Sequence, residues 1–202
     1  MGARRIRTAR PPRATPVKTP SSRPPPTPWH NILLRWFGEF NVLGNNQACR
    51  GDSGGTPTQQ ICTDFIGAWR HIWQLFQNAG ASNVAFLWNP GHYTADGNTD
   101  DPHALYPGNQ YVDWIGLDTY QDSTSATFAT NIEPFYSDFW QAQYAGKPLM
   151  VGENGSQNWT QHGQEFQAGY LQGLLADFQK NLFPLMKAYC YFDRPVRAEA
   201  GY

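Results

Sequence analysis

Residues 111–120 read YVDWIGLDTY. Apolar Val112, Trp114, Ile115 and Leu117 crowd a stretch of strand length, and nothing in it breaks a sheet. The run ends in polar Asp118, Thr119 and Tyr120. Working outward, the same unit recurs. Toward the N-terminus lies Asn83–Trp88 (NVAFLW), a strand ended by Pro90 and followed by a polar loop over 91–109. Before it, Phe65, Trp69, Ile72, Phe76 and Ala79 recur at helical spacing, with Thr63 as N-cap, Asp64 in the first turn and Gly80 as the stop. A Gly/Asn/Ser-rich loop fills 41–62, and Ile32–Phe37 is a first apolar strand with Arg35 inside it.

Toward the C-terminus, a helical stretch runs to about Tyr144, with Pro134 kinking or starting it. Lys147–Gly152 (KPLMVG) is a fourth strand. Residues 164–180 form an amphipathic helix through Phe166, Tyr170, Leu174 and Phe178, and Leu185–Phe192 is a fifth strand. Five strands alternating with helices predict an α/β fold, a parallel sheet with right-handed crossovers. Functional groups in such sheets collect at the carboxyl ends of the strands.

Composition divides the chain in two. Of 202 residues, 1–28 carry seven Lys+Arg and no acid, for +7; the remaining residues carry −8. The first segment, rich in Arg, Pro, Ser and Thr, cannot bury enough apolar surface to order itself and reads as a disordered tail. It has no apolar stretch of the kind a secretory signal needs. Residues 29–202 read as one acidic, aromatic-rich domain. No apolar run reaches the ~20 residues of a membrane helix. The absence of a basic stripe argues against nucleic acid, and the three Cys are too few for a disulfide scaffold.

Two carboxylates stand where apolar strands end, Glu39 after the first and Glu153 after the fourth. Asp118 and Tyr120 close the third. Facing carboxylates among aromatic rings suit glycoside hydrolysis, one protonating the leaving oxygen while the other attacks the anomeric carbon or activates water. On a regular strand Arg35, Phe37 and Glu39 share a face, so Arg35 points into the same space, either toward substrate or in an ion pair with a carboxylate. Trp88 is a candidate sugar platform, and Asn41 lies beside Glu39. The acid role demands a protonated Glu39, helped by apolar neighbours such as Trp36, Phe40 or Trp88; the other role demands an ionised Glu153, helped by Tyr120 and Arg35.

LRWFGEFN (34–41), FIGAWRHIWQLFQNAGASNVAFLWNP (65–90), YPGNQYVDWIGLDTY (106–120), KPLMVGENGS (147–156) and FPLMKAYCYFD (183–193) together resemble the C-terminal part of glycoside hydrolase family 26, the β-mannanase-like retaining glycosidases. The resemblance implies a (β/α)8 barrel of which this chain holds strands four to eight, a partial TIM barrel. It implies Glu39 as acid/base, Glu153 as nucleophile, and Asp118 and Tyr120 as the Asp-x-Tyr whose Tyr contacts the nucleophile. The implied activity is a retaining endo-β-glycanase that hydrolyses β-mannan, or a related β-linked polysaccharide, by double displacement with no cofactor and no metal. The alternative is a catalytically inactive glycan-binding remnant or fragment, completed by another chain. Two features depart from the family. Gly38 stands where a His usually precedes the acid/base, and Tyr191 or Phe192 stands near the place of a Trp at the end of strand eight. Residues 1–28 are too short and Pro-rich to supply strands one to three.

Other signals are weaker. GDSGG (51–55) is similar to a serine-protease segment but lacks the His partner that chemistry needs. Cys49 and Cys62 flank a loop that a disulfide would close, whereas Cys190 on a strand reads as a buried thiol. Asn154-Gly155-Ser156 and Asn158-Trp159-Thr160 fit the N-glycosylation pattern. The disulfide, the two sequons and the family's habit favour an extracellular location.

Overall fold

The computed structural model describes residues 31–42, 59–91, 101–121, 123, 125–137, 144, 146–156 and 163–192, the last segment by backbone alone over 163–166. The expected tail, Cys49, Asn158 and the GDSGG segment lie outside the described residues.

The expected alternation is present. The order is β1 (Ile32–Leu34), α1 (Gln59–Asn78), β2 (Val84–Trp88), β3 (Trp114–Gln121), α2 (Phe128–Phe135), β4 (Leu149–Ser156), α3 (Gly163–Gln179) and β5 (Met186–Tyr191). The strands form one sheet in chain order, β1-β2-β3-β4-β5, and every neighbouring pair is parallel. Five consecutive parallel strands with helices between them are the arrangement of a partial (β/α)8 barrel.

Helix α1 lays its apolar stripe on the sheet. Cys62, Phe65 and Trp69 are buried, and Ile66, Ile72, Trp73 and Phe76 pack at the margin. It begins at Gln59, so Thr63 is an interior residue and not the N-cap. Its end is as expected. Gly80 takes φ 64°, and its N–H and that of Ala81 donate to the carbonyls of Gln77 and Phe76 at 2.9 and 3.1 Å. This pair of bonds satisfies carbonyls the helix leaves open. Asn181 ends α3 in the same way at φ 53°, with Leu182 donating to Asp177.

Helix α2 starts on a reciprocal cap in which Thr127 and Thr130 exchange side-chain and backbone bonds. Thr130 fills the place more often held by Glu or Gln. Pro134 lies inside the helix as described, near its C-terminal end.

The strands supply the rest of the core. Trp69, Trp88, Phe40, Phe86, Ile115, Leu117, Phe128 and Ile132 are almost wholly buried. Trp36, Phe40, Phe65, Trp69 and Trp88 form a continuous ring cluster between α1 and the ends of β1 and β2. Cys62 within that layer is disulfide-bonded. Cys190, expected to be buried, is a free and exposed thiol. Tyr189 packs on Phe128 and Phe178 of the helices, so its chain neighbour Cys190 faces the other side of the sheet, and among the described residues β5 has a partner strand on one side only. The same holds for β1, where Ile32 and Leu33 are exposed. No helix among the described residues is long and apolar enough to cross a membrane.

Candidate active site

Strand β1 is shorter than its apolar run suggests and stops at Leu34. The alternation that would place Arg35, Phe37 and Glu39 on one strand face therefore does not operate. A turn does the work instead, with Phe37 at φ 54° and Glu39 at φ 56°. Left-handed conformations at non-glycine residues carry strain and persist only where the surroundings fix them. Here they are fixed at both ends. The Glu39 N–H donates to the Asn89 carbonyl at 3.0 Å, and the Val42 N–H donates to the Glu39 carbonyl at 3.0 Å. Asn41, a candidate substrate contact, is fully buried. Its Oδ1 accepts from the Gly91 N–H at 2.8 Å and its Nδ2 donates to the Gly91 carbonyl at 3.4 Å. Its polar groups are spent tying the β1 turn to the end of β2.

Strand β4 is longer than expected, so Glu153 lies within it and not just past it. Beside it, the register with β3 runs Leu117↔Val151 and then Asp118↔Glu153, leaving Gly152 unopposed as a bulge. One extra residue re-aims the side chain that follows. Asp118 and Glu153 thereby become lateral neighbours.

Arg35 enters between them. Its Nη2 donates to Asp118 Oδ2 and its Nη1 to Glu153 Oε1. The Tyr120 hydroxyl donates to the other Glu153 oxygen, Oε2, at 2.7 Å. One carboxylate oxygen from each of Glu39, Asp118 and Glu153 lies within 4.8 Å of the others. Three carboxylates at that spacing also resemble a cation site, but the guanidinium already bonds two of them. The structure thus brings together Arg35, Glu39, Asp118, Tyr120 and Glu153.

Electrostatics separates the carboxylates. Burial works to raise Glu153, but the bonds from Tyr120 and Arg35 outweigh it and hold the group below the ordinary carboxylate range. Burial pushes Asp118 up to about 7; Arg35 and Asn89 oppose this only in part, and Glu153 and Glu39 add to it. Burial also disfavours the Arg35 charge, yet Asp118, Glu153 and Glu39 more than compensate and raise its pKa. Burial, followed by the bond to Glu153, raises Tyr120, which stays a hydrogen-bond donor.

Two expectations fail on burial. Trp88 has no exposed surface, and its Nε1 donates to the Leu105 carbonyl at 3.3 Å. It is core and offers no face to a sugar. Asn154, the acceptor of one sequon, is also fully buried. Its Nδ2 donates to the Thr119 carbonyl and the Tyr170 hydroxyl, and its Oδ1 accepts from the Tyr189 hydroxyl at 2.7 Å.

Asn89 and Gly152 were not singled out by sequence, and Phe192 only as one of two residues near the place of a Trp. Asn89 is buried at the end of β2. A Cβ on Gly116 or Gly152 would stand 2.1 or 2.2 Å from its Oδ1, so both strands need glycine there. Glycine inside a strand marks such a close approach and was a usable signal. Phe192 is 47% exposed, and its ring meets that of Tyr120 edge-on at 6.2 Å.

Comparison with known proteins bears on the family and the fold. Residues 55–164 match the model of glycosyl hydrolase family 26. The chain belongs to that family. Within family 26 it is similar to solved barrels. The Cellulomonas fimi endo-β-1,4-mannanase double mutant is 21% identical with a TM-score of 0.54, covering 83% of this chain and 36% of that one. The catalytic domain of the Bacillus sp. JAMB-750 family 26 endo-β-1,4-mannanase is 22% identical with a TM-score of 0.53, covering 81% and 42%. These likenesses establish the fold as part of a TIM barrel. Endoglucanase H of Acetivibrio thermocellus is 31% identical over 93 residues, which is 44% of this chain and 10% of that protein. The chain therefore spans a small part of its curated relative and less than half of these solved structures.

Proposed function

We propose that this chain carries the catalytic pair of a retaining endo-β-glycanase, with Glu39 as acid/base and Glu153 as nucleophile. The observation that carries the reading is the close approach of the two carboxylates, oxygen to oxygen within 4.8 Å. Retaining pairs stand about 5–5.5 Å apart, whereas inverting pairs need about 6.5–9.5 Å to admit a water.

The remaining geometry suits the two roles. Glu153 is held ionised by Tyr120 and Arg35, as a nucleophile must be. In the first step Glu39 gives its proton to the glycosidic oxygen as Glu153 attacks the anomeric carbon; the C–O bond to the leaving sugar breaks and a glycosyl ester forms. In the second, Glu39 takes a proton from water, whose oxygen attacks the same carbon and releases Glu153. Phe192, exposed beside Tyr120, takes the platform role expected of Trp88. β-Mannan is the substrate proposed, in keeping with the mannanases of similar fold, and β-1,4-glucan is the next, in keeping with the relative named an endoglucanase.

The test is release of reducing sugar from β-mannan by the purified chain, with the anomer of the first product read by NMR. Retained configuration, and loss of release in Glu153→Ala, support the proposal. Inverted product overturns the double displacement. A folded wild-type chain that binds mannan and cleaves nothing favours the glycan-binding alternative.

A further inference from the structure

Asn89 and Asp118 pose a hydrogen-bonding problem at the centre of this site. Asp118 has no exposed side-chain surface, and Asn89 is 1% exposed. Asn89 Oδ1 and Asp118 Oδ1 are both buried and lack a donor. Both oxygens press on the same backbone position, since a Cβ on Gly152 would stand 2.2 Å from the first and 2.7 Å from the second. Buried acceptors without donors are costly, and each calls for an explanation.

Rotating the amide does not solve the problem. Asn89 Nδ2 donates to the Pro90 carbonyl at 3.2 Å, so exchanging the amide oxygen and nitrogen would set oxygen against oxygen there. Asp118 Oδ2 is already taken by Arg35. A proton on Asp118 Oδ1 satisfies both oxygens at once. Oδ1–H donates to the Asn89 carbonyl, Oδ2 still accepts from Arg35, and the amide keeps its bond to Pro90.

We propose that Asp118 is a neutral carboxylic acid in the folded site, giving its Oδ1 proton to the side-chain carbonyl of Asn89, which thereby acts as a positioning residue that leaves the Arg35 charge to Glu153. The charged and titratable groups facing Asp118 are Arg35 and Glu39 from the segment after β1, Tyr120 from its own strand and Glu153 from β4. With Asp118 neutral, one guanidinium serves one ionised carboxylate, Glu153. With it ionised, the same guanidinium is shared between two. Burial raises the Asp118 pKa, and Glu153 and Glu39 act in the same direction; Arg35 opposes it, as does Asn89 wherever its amide N–H rather than its carbonyl meets the carboxylate. The assignment concerns the resting protein and does not depend on which glycan, if any, is cleaved.

The direct test is a 13C NMR titration of the full chain labelled at aspartate carboxyls, with the Asp118 signal assigned by its loss in Asp118→Asn. A midpoint two or more units above the ordinary aspartate value of about 3.9 supports the proposal; any lower midpoint overturns it. In Asn89→Ala, which removes the acceptor and admits water, the midpoint falls by at least one unit; an unchanged or raised midpoint overturns the assignment of Asn89 as acceptor. If Asn89→Ala does not fold, the stability of wild type is compared with Asp118→Asn across pH. A folded pKa above the unfolded one makes the wild type lose stability relative to the variant as pH rises from about 4 to 7. A relative gain overturns the proposal. Loss of mannan hydrolysis in any of these variants bears on the enzymatic reading and leaves the titration result standing.

Discussion

Tyr120 donates its hydroxyl to Glu153 at 2.7 Å, across neighbouring strands β3 and β4. Arg35 holds the opposite oxygen, so Glu153 is gripped from both sides and its direction is set. The two grips come from chain segments 85 residues apart in sequence, by their numbers Arg35 and Tyr120.

Replacing Tyr120 by Phe removes one grip without disturbing the ring that lies over Gly155. A hydrogen bond to a charged group contributes about 1.5–3 kcal/mol. The expected outcome is a fall in kcat of roughly tenfold to a hundredfold, with KM changed little. Steady-state kinetics on β-mannan check it; an unchanged kcat removes Tyr120 from the mechanism.

The pH dependence follows from the lowered Glu153 pKa. Activity that needs ionised Glu153 persists below the ordinary glutamate value of about 4.3 and fails as pH falls through the lowered folded value. The same group contributes stability above its unfolded pKa, and that contribution disappears as pH falls through the folded one. In Tyr120→Phe both acid limits move to higher pH. The kcat/KM profile and acid unfolding of the two proteins are the measurements.

Gly38 lies directly against the Arg35 guanidinium. A Cβ there would lie 2.4 Å from Arg35 Nε, so any side chain forces the guanidinium away. Gly38→Ala, and more so Gly38→His, is expected to release Arg35 from Asp118 and Glu153. Losing a hydrogen bond to a charged group costs about 1.5–3 kcal/mol, and activity falls with it. Thermal unfolding and kcat/KM read the result; a Gly38→His protein as active as wild type contradicts it.

Asn154 is expected to remain unglycosylated in a eukaryotic host, because its amide bonds Thr119 and Tyr170 inside the fold. Glycopeptide mapping checks this. Asn154→Ala leaves three buried partners short of a bond and should lower stability by about 1–3 kcal/mol, as measured by urea unfolding.

The order of elements was legible because hydrophobic spacing is a local property. α1 was read from Phe65, Trp69, Ile72 and Phe76, and β3 from its apolar run, and both stand within a few residues of expectation. Asp118 and Tyr120 lie in the last half of β3 as the apolar run suggests, whereas Glu39 stands in a turn past β1 and Glu153 inside β4. Trp88 was misjudged because composition marks a large aromatic residue but not which way it faces; Leu105, Tyr106 and Phe40 enclose it only after distant segments meet. Cys190 was misjudged because burial of a strand residue requires a covering layer.

By itself the sequence determined the α/β alternation, the parallel sheet and the two glutamates at the ends of apolar segments, since each depends on neighbours along the chain. Only the tertiary structure decided how those carboxylates meet. The left-handed turn at Phe37 and Glu39, the bulge at Gly152 and the course of Arg35 over Gly38 depend on strand register and on atoms that come within reach only when β1, β3 and β4 lie in one sheet. Bonds between residues as far apart in the chain as Arg35 and Glu153 are fixed by packing across the sheet, and local spacing in the chain does not encode them.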